Sequence, residues 1–242
     1  MMKRFFTLST IRLILLFGVL VFLYSFTSQR NSNRLIKDRK VAFVGSEYLF
    51  MTHDSVNKLL IENTNKSSKL KKHALDLMSL ERAINNHPYV HHCDTYVTVD
   101  GVLHVVLQQK EPIARVYHNG SVYYLDYEGG RMPLSDNYSA RVPVFLGDLA
   151  VANKDEVLKV LQNIHDDLLL NKNITGVELT QRGSLILKNR GFDFDVEFGR
   201  PVNVDKKFAN YKAFLQRAVQ DSIAFQYKKI NLRFTQQVVC TK

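Results

Sequence analysis

The densest set of potential metal ligands in the chain is His91-His92-Cys93-Asp94, because imidazole, thiolate and carboxylate all bind transition metals. In a strand, His91 and Cys93 point to one face, and His92 and Asp94 to the other. One face then supplies two ligands, and a third has to arrive from elsewhere, such as His104 across a hairpin. That spacing favours Cys93 as a small buried residue over Cys93 as a ligand. Asp166-Asp167 falls on a predicted helix, where sequence neighbours do not share a face, so it reads as a solvated pair rather than an acid–base couple. Asp193, Asp195 and Glu197 share a face as an exposed charge row, with no nucleophile beside them. Asp126 to Pro133 (DYEGGRMP) concentrates Asp, Gly and Arg, and a tight turn between strands accounts for it. There is no P-loop, no glycine-rich dinucleotide fingerprint, no Gly-x-Ser-x-Gly and no His-Glu-x-x-His. The expectation is no catalytic residue, no metal, no cofactor and no small-molecule substrate.

The elements around these residues are short and mixed, which predicts an α+β chain. KVAFVG at 40–45 reads as a strand, and Thr52 caps a helix carrying Val56, Leu59 and Leu60. Asp76 caps the next helix, whose Leu77, Leu80, Ala83 and Ile84 recur at helical spacing until Pro88. TYVTV and VLHVVL flank Asp100-Gly101, which predicts a two-residue type I′ turn, and a second hairpin turns at Asn119-Gly120. Pro143 in VPVFLG places that strand near a sheet edge. Asn153 with Glu156 resembles a capping box ahead of Val157, Leu161, Ile164 and Leu168. ITGVEL and SLILKN form a hairpin through TQRG, and Phe192, Phe194, Val196 and Phe198 alternate with acids as a strand covering the core on one side. A helix from Asp205 presents Phe208, Tyr211, Leu215 and Ala218, and KINLRF and QVVCTK close the series as strands.

Charge divides the chain more sharply than hydropathy does. The 242 residues carry a formal +10, and the first forty hold eight Lys or Arg against one acid, Asp38, which is +7 of it. Between those basic clusters lies an uncharged run from Leu13 to Gln29. Its length is at the lower limit for a membrane-spanning helix. Ser25-Phe26-Thr27-Ser28 is a poor cleavage site, so the run reads as an uncleaved anchor rather than a signal peptide. More basic residues follow the run than precede it, so the positive-inside rule alone leaves the large domain in the cytoplasm. The remaining 202 residues carry only +3 and show no basic-aromatic stripe, which argues against nucleic acid.

NNHPYVHHCDTYVTVDGVLHVVLQQKEPIARV resembles the end of the POTRA domain in the FtsQ/DivIB family of bacterial cell-division proteins. YYLDYEGGRMPLS, RVPVFLG, VEFGR, KKFANYKAFL and INLRF follow in the order of that family's β domain. Two departures stand out: Asn231 replaces the usual acidic residue, and TQQVV replaces a more glycine-rich turn. The resemblance implies a cytoplasmic N-terminus at 1–12, a transmembrane helix at 13–29, a linker at 30–40, a POTRA-like domain at 41–112 and a mixed-sheet β domain with flanking helices at 113–242. It also implies a single-pass inner-membrane protein with a periplasmic C-terminal domain at the septum, against the simple charge count. Its function would be non-enzymatic: a scaffold recruiting small coiled-coil partners of the FtsB and FtsL type by strand addition at its C-terminal strand. Arg200, Arg233 and Phe234 correspond by position to the partner-binding surface, the arginines for carboxylates and Phe234 as an apolar anchor. The residues alone also allow Arg233 as an outward charge and Phe234 as a core residue, since Ile230, Leu232 and Phe234 alternate. The alternative function is another POTRA-containing envelope protein, or an exported enzyme with an unrecognised site.

Overall fold

A computed structural model describes residues 8–45, 50–63, 71–149, 153–221 and 223–242. Seven of the twelve residues of the expected cytoplasmic segment, and most of the polar stretch 62–72, lie outside the described residues. The chain divides into two compact units, one of residues 1–45 and 51–109 and one of 46–50 and 110–242.

The first unit opens on α1 (Leu8–Ser32), within which Thr10–Ser32 is apolar and long enough to cross a membrane. At 1.5 Å per residue these 23 residues reach about 35 Å, against a hydrocarbon core of about 30 Å. The helix thus runs past the uncharged 13–29 at both ends. Then come β1 (Asp38–Val44), α2 (His53–Asn63), a 3₁₀ turn at Lys72–Ala74, α3 (Leu77–Asn85), β2 (Val90–Val97) and β3 (Val102–Gln109). The sheet order is β1-β3-β2, with β1 parallel and β2 antiparallel to the central β3. Thr52 Oγ1 accepts from Ser55 N at 3.2 Å, and Asp76 Oδ1 from Ser79 N at 3.0 Å, so both expected caps form. The Asp76 carboxyl is held below its ordinary pKa first by the Ser79 hydroxyl and then by that residue's amide. Val56, Leu60, Leu80 and Ile84 from the helices meet Cys93, Leu103, Val105 and Leu107 from the sheet.

The second unit holds β4 (Pro112–His118), β5 (Ser121–Asp126), β6 (Arg131–Met132), β7 (Val144–Leu146), α4 (Lys154–Asp166), α5 (Leu168–Asn173), β8 (Ile174–Leu179), β9 (Leu185–Asn189), β10 (Asp195–Gly199), α6 (Val204–Gln220), β11 (Lys229–Asn231) and β12 (Val239–Thr241). Its mixed sheet runs β12-β11-β10-β9-β8-β7-β4-β5-β6. Val157, Leu161 and Ile164 of α4 and Phe208, Tyr211 and Leu215 of α6 share one core with the sheet.

Four local expectations change. Strand β7 is interior, between β4 and β8, because Pro143 precedes it and the missing N–H lies outside its ladder; the Pro143 carbonyl accepts from Arg115 N at 2.9 Å. Asn153 starts α4 without a side-chain cap bond, so no capping box forms. The helix stops at Asp166, which leaves Leu168 79% exposed in a new helix that Asp167 caps. The Asp100-Gly101 hairpin is not type I′: Gly101 has φ +84°, but Asp100 stays out of the left-handed region. Thr98 N donates to Val102 O and Gly101 N to Thr98 O, which makes a three-residue loop. The two-residue type I′ turn is at Asn119-Gly120, with φ +47° and +76° between the paired His118 and Ser121.

Candidate functional site

The His-Cys-Asp cluster does not converge. A bulge between Val90 and His92 shifts the register, so His91 and His92 are both exposed while Cys93 is fully buried. Burial pushes the Cys93 thiol up to about 12, helped by the nearby Glu81 and Asp94. His92 Nε2 sits 3.1 Å from Asp94 Oδ1, and His104 stacks on Tyr96. Among the described residues no group of three or more His, Cys, Asp or Glu is placed to hold a metal.

The other polar groupings are structural. Asp126 is buried, accepts from Glu128 N and Gly130 N, and pairs with Lys110 Nζ at 3.0 Å, which holds the DYEGG turn. Asp166 accepts from Tyr127 at 2.9 Å, and Asp167 from Lys212 Nζ at 2.6 Å, so this pair is partnered rather than solvated. Two members of the acidic row are also partnered, while Asp193 is exposed. Asp195 accepts from Lys188 at 2.7 Å, while Glu197 lies 3.3 Å from Arg233 and 3.9 Å from Lys229.

Arg200, Arg233 and Phe234 come together at the end of two adjacent strands. Strand β10 stops at Gly199, with Arg200 exposed after it. Its neighbour β11 stops at Asn231, short of the predicted KINLRF. The Asn231 side chain accepts from Arg233 N at 2.9 Å and turns the chain, so the period of two ends there. Ile230 and Leu232 are fully buried, but Phe234 is 53% exposed, which excludes it as a core residue. Arg233 lies across Gly199: a Cβ there would stand 2.8 Å from Arg233 Cγ. Only glycine leaves room for that stem beside Arg200.

One residue that the sequence reading missed fixes this corner. Lys207 of α6 is 2% exposed, and its ammonium donates to the carbonyls of Phe198 and Arg200, each at 2.8 Å. It also stands 4.7 Å from the centre of the Phe198 ring. Burial lowers its pKa below the ordinary lysine value. The only signal was a lysine one position from Phe208 on the buried face of α6, and a charge there reads as solvent-facing until the turn it bonds is known.

Beyond the corner lies β12. One side pairs antiparallel with β11, and the other side has no strand partner among the described residues. Between α6 and this strand runs a groove of about 430 Å³, lined by Asn210, Phe214, Tyr227, Val238 and Cys240. Asn210 Nδ2 donates to Thr235 O at 3.0 Å across one end of it.

Comparison with known proteins gives the chain a context. The family described as FtsQ/DivIB, C-terminal related matches residues 111–241. Among solved structures, the chain is similar to the major extracytoplasmic domain of the trans isomer of the cell-division protein DivIB from Geobacillus stearothermophilus, at 14% identity and a TM-score of 0.29, covering 47% of this chain and 95% of that one. No curated protein matches.

Proposed function

Because the chain belongs to the FtsQ/DivIB, C-terminal related family of non-enzymatic cell-division proteins, we propose that it is a membrane-anchored scaffold that captures a division partner by strand addition on β12. The observation that carries this reading is that β12 has an edge without a strand partner among the described residues, in the same sheet whose β10 and β11 are followed by Arg200, Arg233 and Phe234. Backbone bonds to the free edge supply affinity without regard to sequence, and flanking side chains supply selectivity. Arg200 and Arg233 suit carboxylates on the partner, and the exposed Phe234 suits an apolar contact. The groove beside Cys240 takes side chains on one face of the added strand. Partners of this description are small coiled-coil proteins of the FtsB and FtsL type. α1 anchors the scaffold in the inner membrane, the first unit is its POTRA-like domain, and both folded units lie in the periplasm at the septum.

Hydrogen exchange on the full chain with and without such a partner tests the mode of binding. Strand addition protects those amides of 239–241 that point away from β11. A partner that binds while those amides exchange as before binds by another route. Depletion tests the role: filamentous cells with undivided septa support it, and normal division with an altered wall or metabolite profile overturns it.

A further inference from the structure

The β2–β3 loop sits beside the end of α1. Val99 at its tip is 71% exposed, and it lines one groove with Tyr24, Phe26, Thr27, Ser28 and Arg30 of the helix. The loop is tied to the chain that leaves the helix. Arg34 Nη1 donates to the Val99 carbonyl, and Lys37 N donates to Gly101 O at 2.8 Å. Gly101 packs so closely on Leu35 that an added Cβ would stand 2.5 Å from the Leu35 carbonyl. Lys72 N donates to Arg34 O at 2.8 Å and secures the same segment from the other side.

These contacts set the depth of the loop. The apolar span Thr10–Ser32 is centred on residue 21, and half of a 30 Å hydrocarbon core covers about ten residues of helix. The helix therefore leaves the hydrocarbon within the turn or two that ends at Asn31, the stretch that faces Val99. We infer that the β2–β3 loop is a second membrane contact, with Val99 seated at the boundary of acyl chains and headgroups and the exposed Arg30 and Lys37 beside it meeting lipid phosphates. The partner is a bilayer surface, because the groove that holds Val99 is continuous with the helix that enters that bilayer. The inference rests on α1 spanning the membrane and is independent of strand addition at β12.

The chain contains no tryptophan, so a single introduced indole reports its own surroundings. Val99→Trp is placed at the tip. Val44→Trp is the control: Val44 is 54% exposed at the other end of the same sheet, because Asp38 pairs with Val102 and Val44 with Gln108, about 20 Å along β1. Each full-length variant is reconstituted into vesicles of phosphatidylcholine and phosphatidylglycerol, with or without bromine on the acyl chains. The expected result is blue-shifted emission and about twofold quenching by brominated lipid for Val99→Trp, with neither for Val44→Trp. Adding Arg34→Gln to Val99→Trp releases the loop and lowers the quenching. Water-like, unquenched emission at position 99 overturns the inference, and so does equal quenching at both positions. Flotation after an alkaline wash reports the span separately. A chain that fails to float overturns the anchor reading and this inference with it.

Discussion

Replacing Lys207 with methionine removes a charge while keeping the length of the side chain. The ammonium is buried and makes two charge-assisted hydrogen bonds to backbone carbonyls, each at 2.8 Å. Such bonds contribute about 1.5 to 3 kcal/mol apiece. The Arg200 carbonyl also accepts from Val202 N at 2.8 Å, so it keeps a partner and its loss falls at the low end. Two terms offset the loss: an ammonium is no longer desolvated, and a thioether keeps contact with the Phe198 ring. The balance is a destabilisation of about 2 kcal/mol, or about 5 to 10 °C in the melting temperature of a unit of this size. Circular dichroism of the detergent-solubilised full chain measures it, and faster amide exchange at Gly199, Arg200 and Val202 locates it. The pH dependence has a fixed sign. The folded lysine has the lower pKa, so below 10.5 the unfolded chain binds more protons and native stability rises with pH. The melting gap between native chain and variant therefore widens as pH climbs toward 10.5. A gap that narrows over that window, or a melting temperature unchanged within a degree, refutes the account of Lys207 as the brace of this corner.

Arg233→Glu removes an exposed ion pair with Glu197, costs under about 1 kcal/mol in the melting curve, and abolishes partner co-purification and septal localisation; intact capture and localisation count against the arginine. Cys93→Ala reports the alkaline limb. The native thiol is raised to about 12 from 9, so its stabilisation is complete below pH 9 and is lost as pH rises toward 12, by up to about 4 kcal/mol once the folded thiol also ionises. The alanine variant, less stable at pH 7, shows a shallower fall over that range, and parallel curves would contradict the assignment. Gly101→Ala meets a carbonyl at 2.5 Å besides a positive φ, whereas Gly120→Ala meets open space. The first lowers the melting temperature of its unit clearly more than the second; equal shifts would show that the Leu35 contact carries no weight.

What could be read in the sequence depended on how far each pattern was local. Asp76 needs only Ser79 to cap α3, and α6 needs only its own spacing to bury Phe208, Tyr211 and Leu215, so both were legible. Pro143 was misleading because a missing N–H excludes a residue from a ladder, and this proline is just outside one. His91 and His92 share exposure because a one-residue bulge resets the alternation, and nothing in VHHCD announces it. The hairpins show a rule the dipeptide alone hides. Thr98 Oγ1 accepts from Val102 N at 3.2 Å, and Thr180 Oγ1 from Ser184 N at 3.1 Å, each across a three-residue loop ending in glycine. Asn119-Gly120 lacks such a threonine and closes as a two-residue turn. The hydroxyl satisfies the amide that the longer loop frees, so Thr-x-x-Gly, not Asp-Gly, was the informative unit.

The corner of Arg200, Arg233 and Phe234 was hidden for a different reason: it lies where two strands stop. Binary alternation through Ile230, Leu232 and Phe234 points the phenylalanine inward, and it holds only while the backbone stays extended. Asn231 ends that condition by accepting from Arg233 N, a local bond that competes with the ladder. An aspartate at 231 would supply the same acceptor oxygen and leave the turn chemistry unchanged. The turn exposes Phe234 and lays Arg233 over Gly199, and Lys207 fixes the loop that carries Arg200 beside it. Two segments more than thirty residues apart thus reach one corner through two strand ends and one buried ammonium. A reading by period alone loses such a surface at the residue where the period stops.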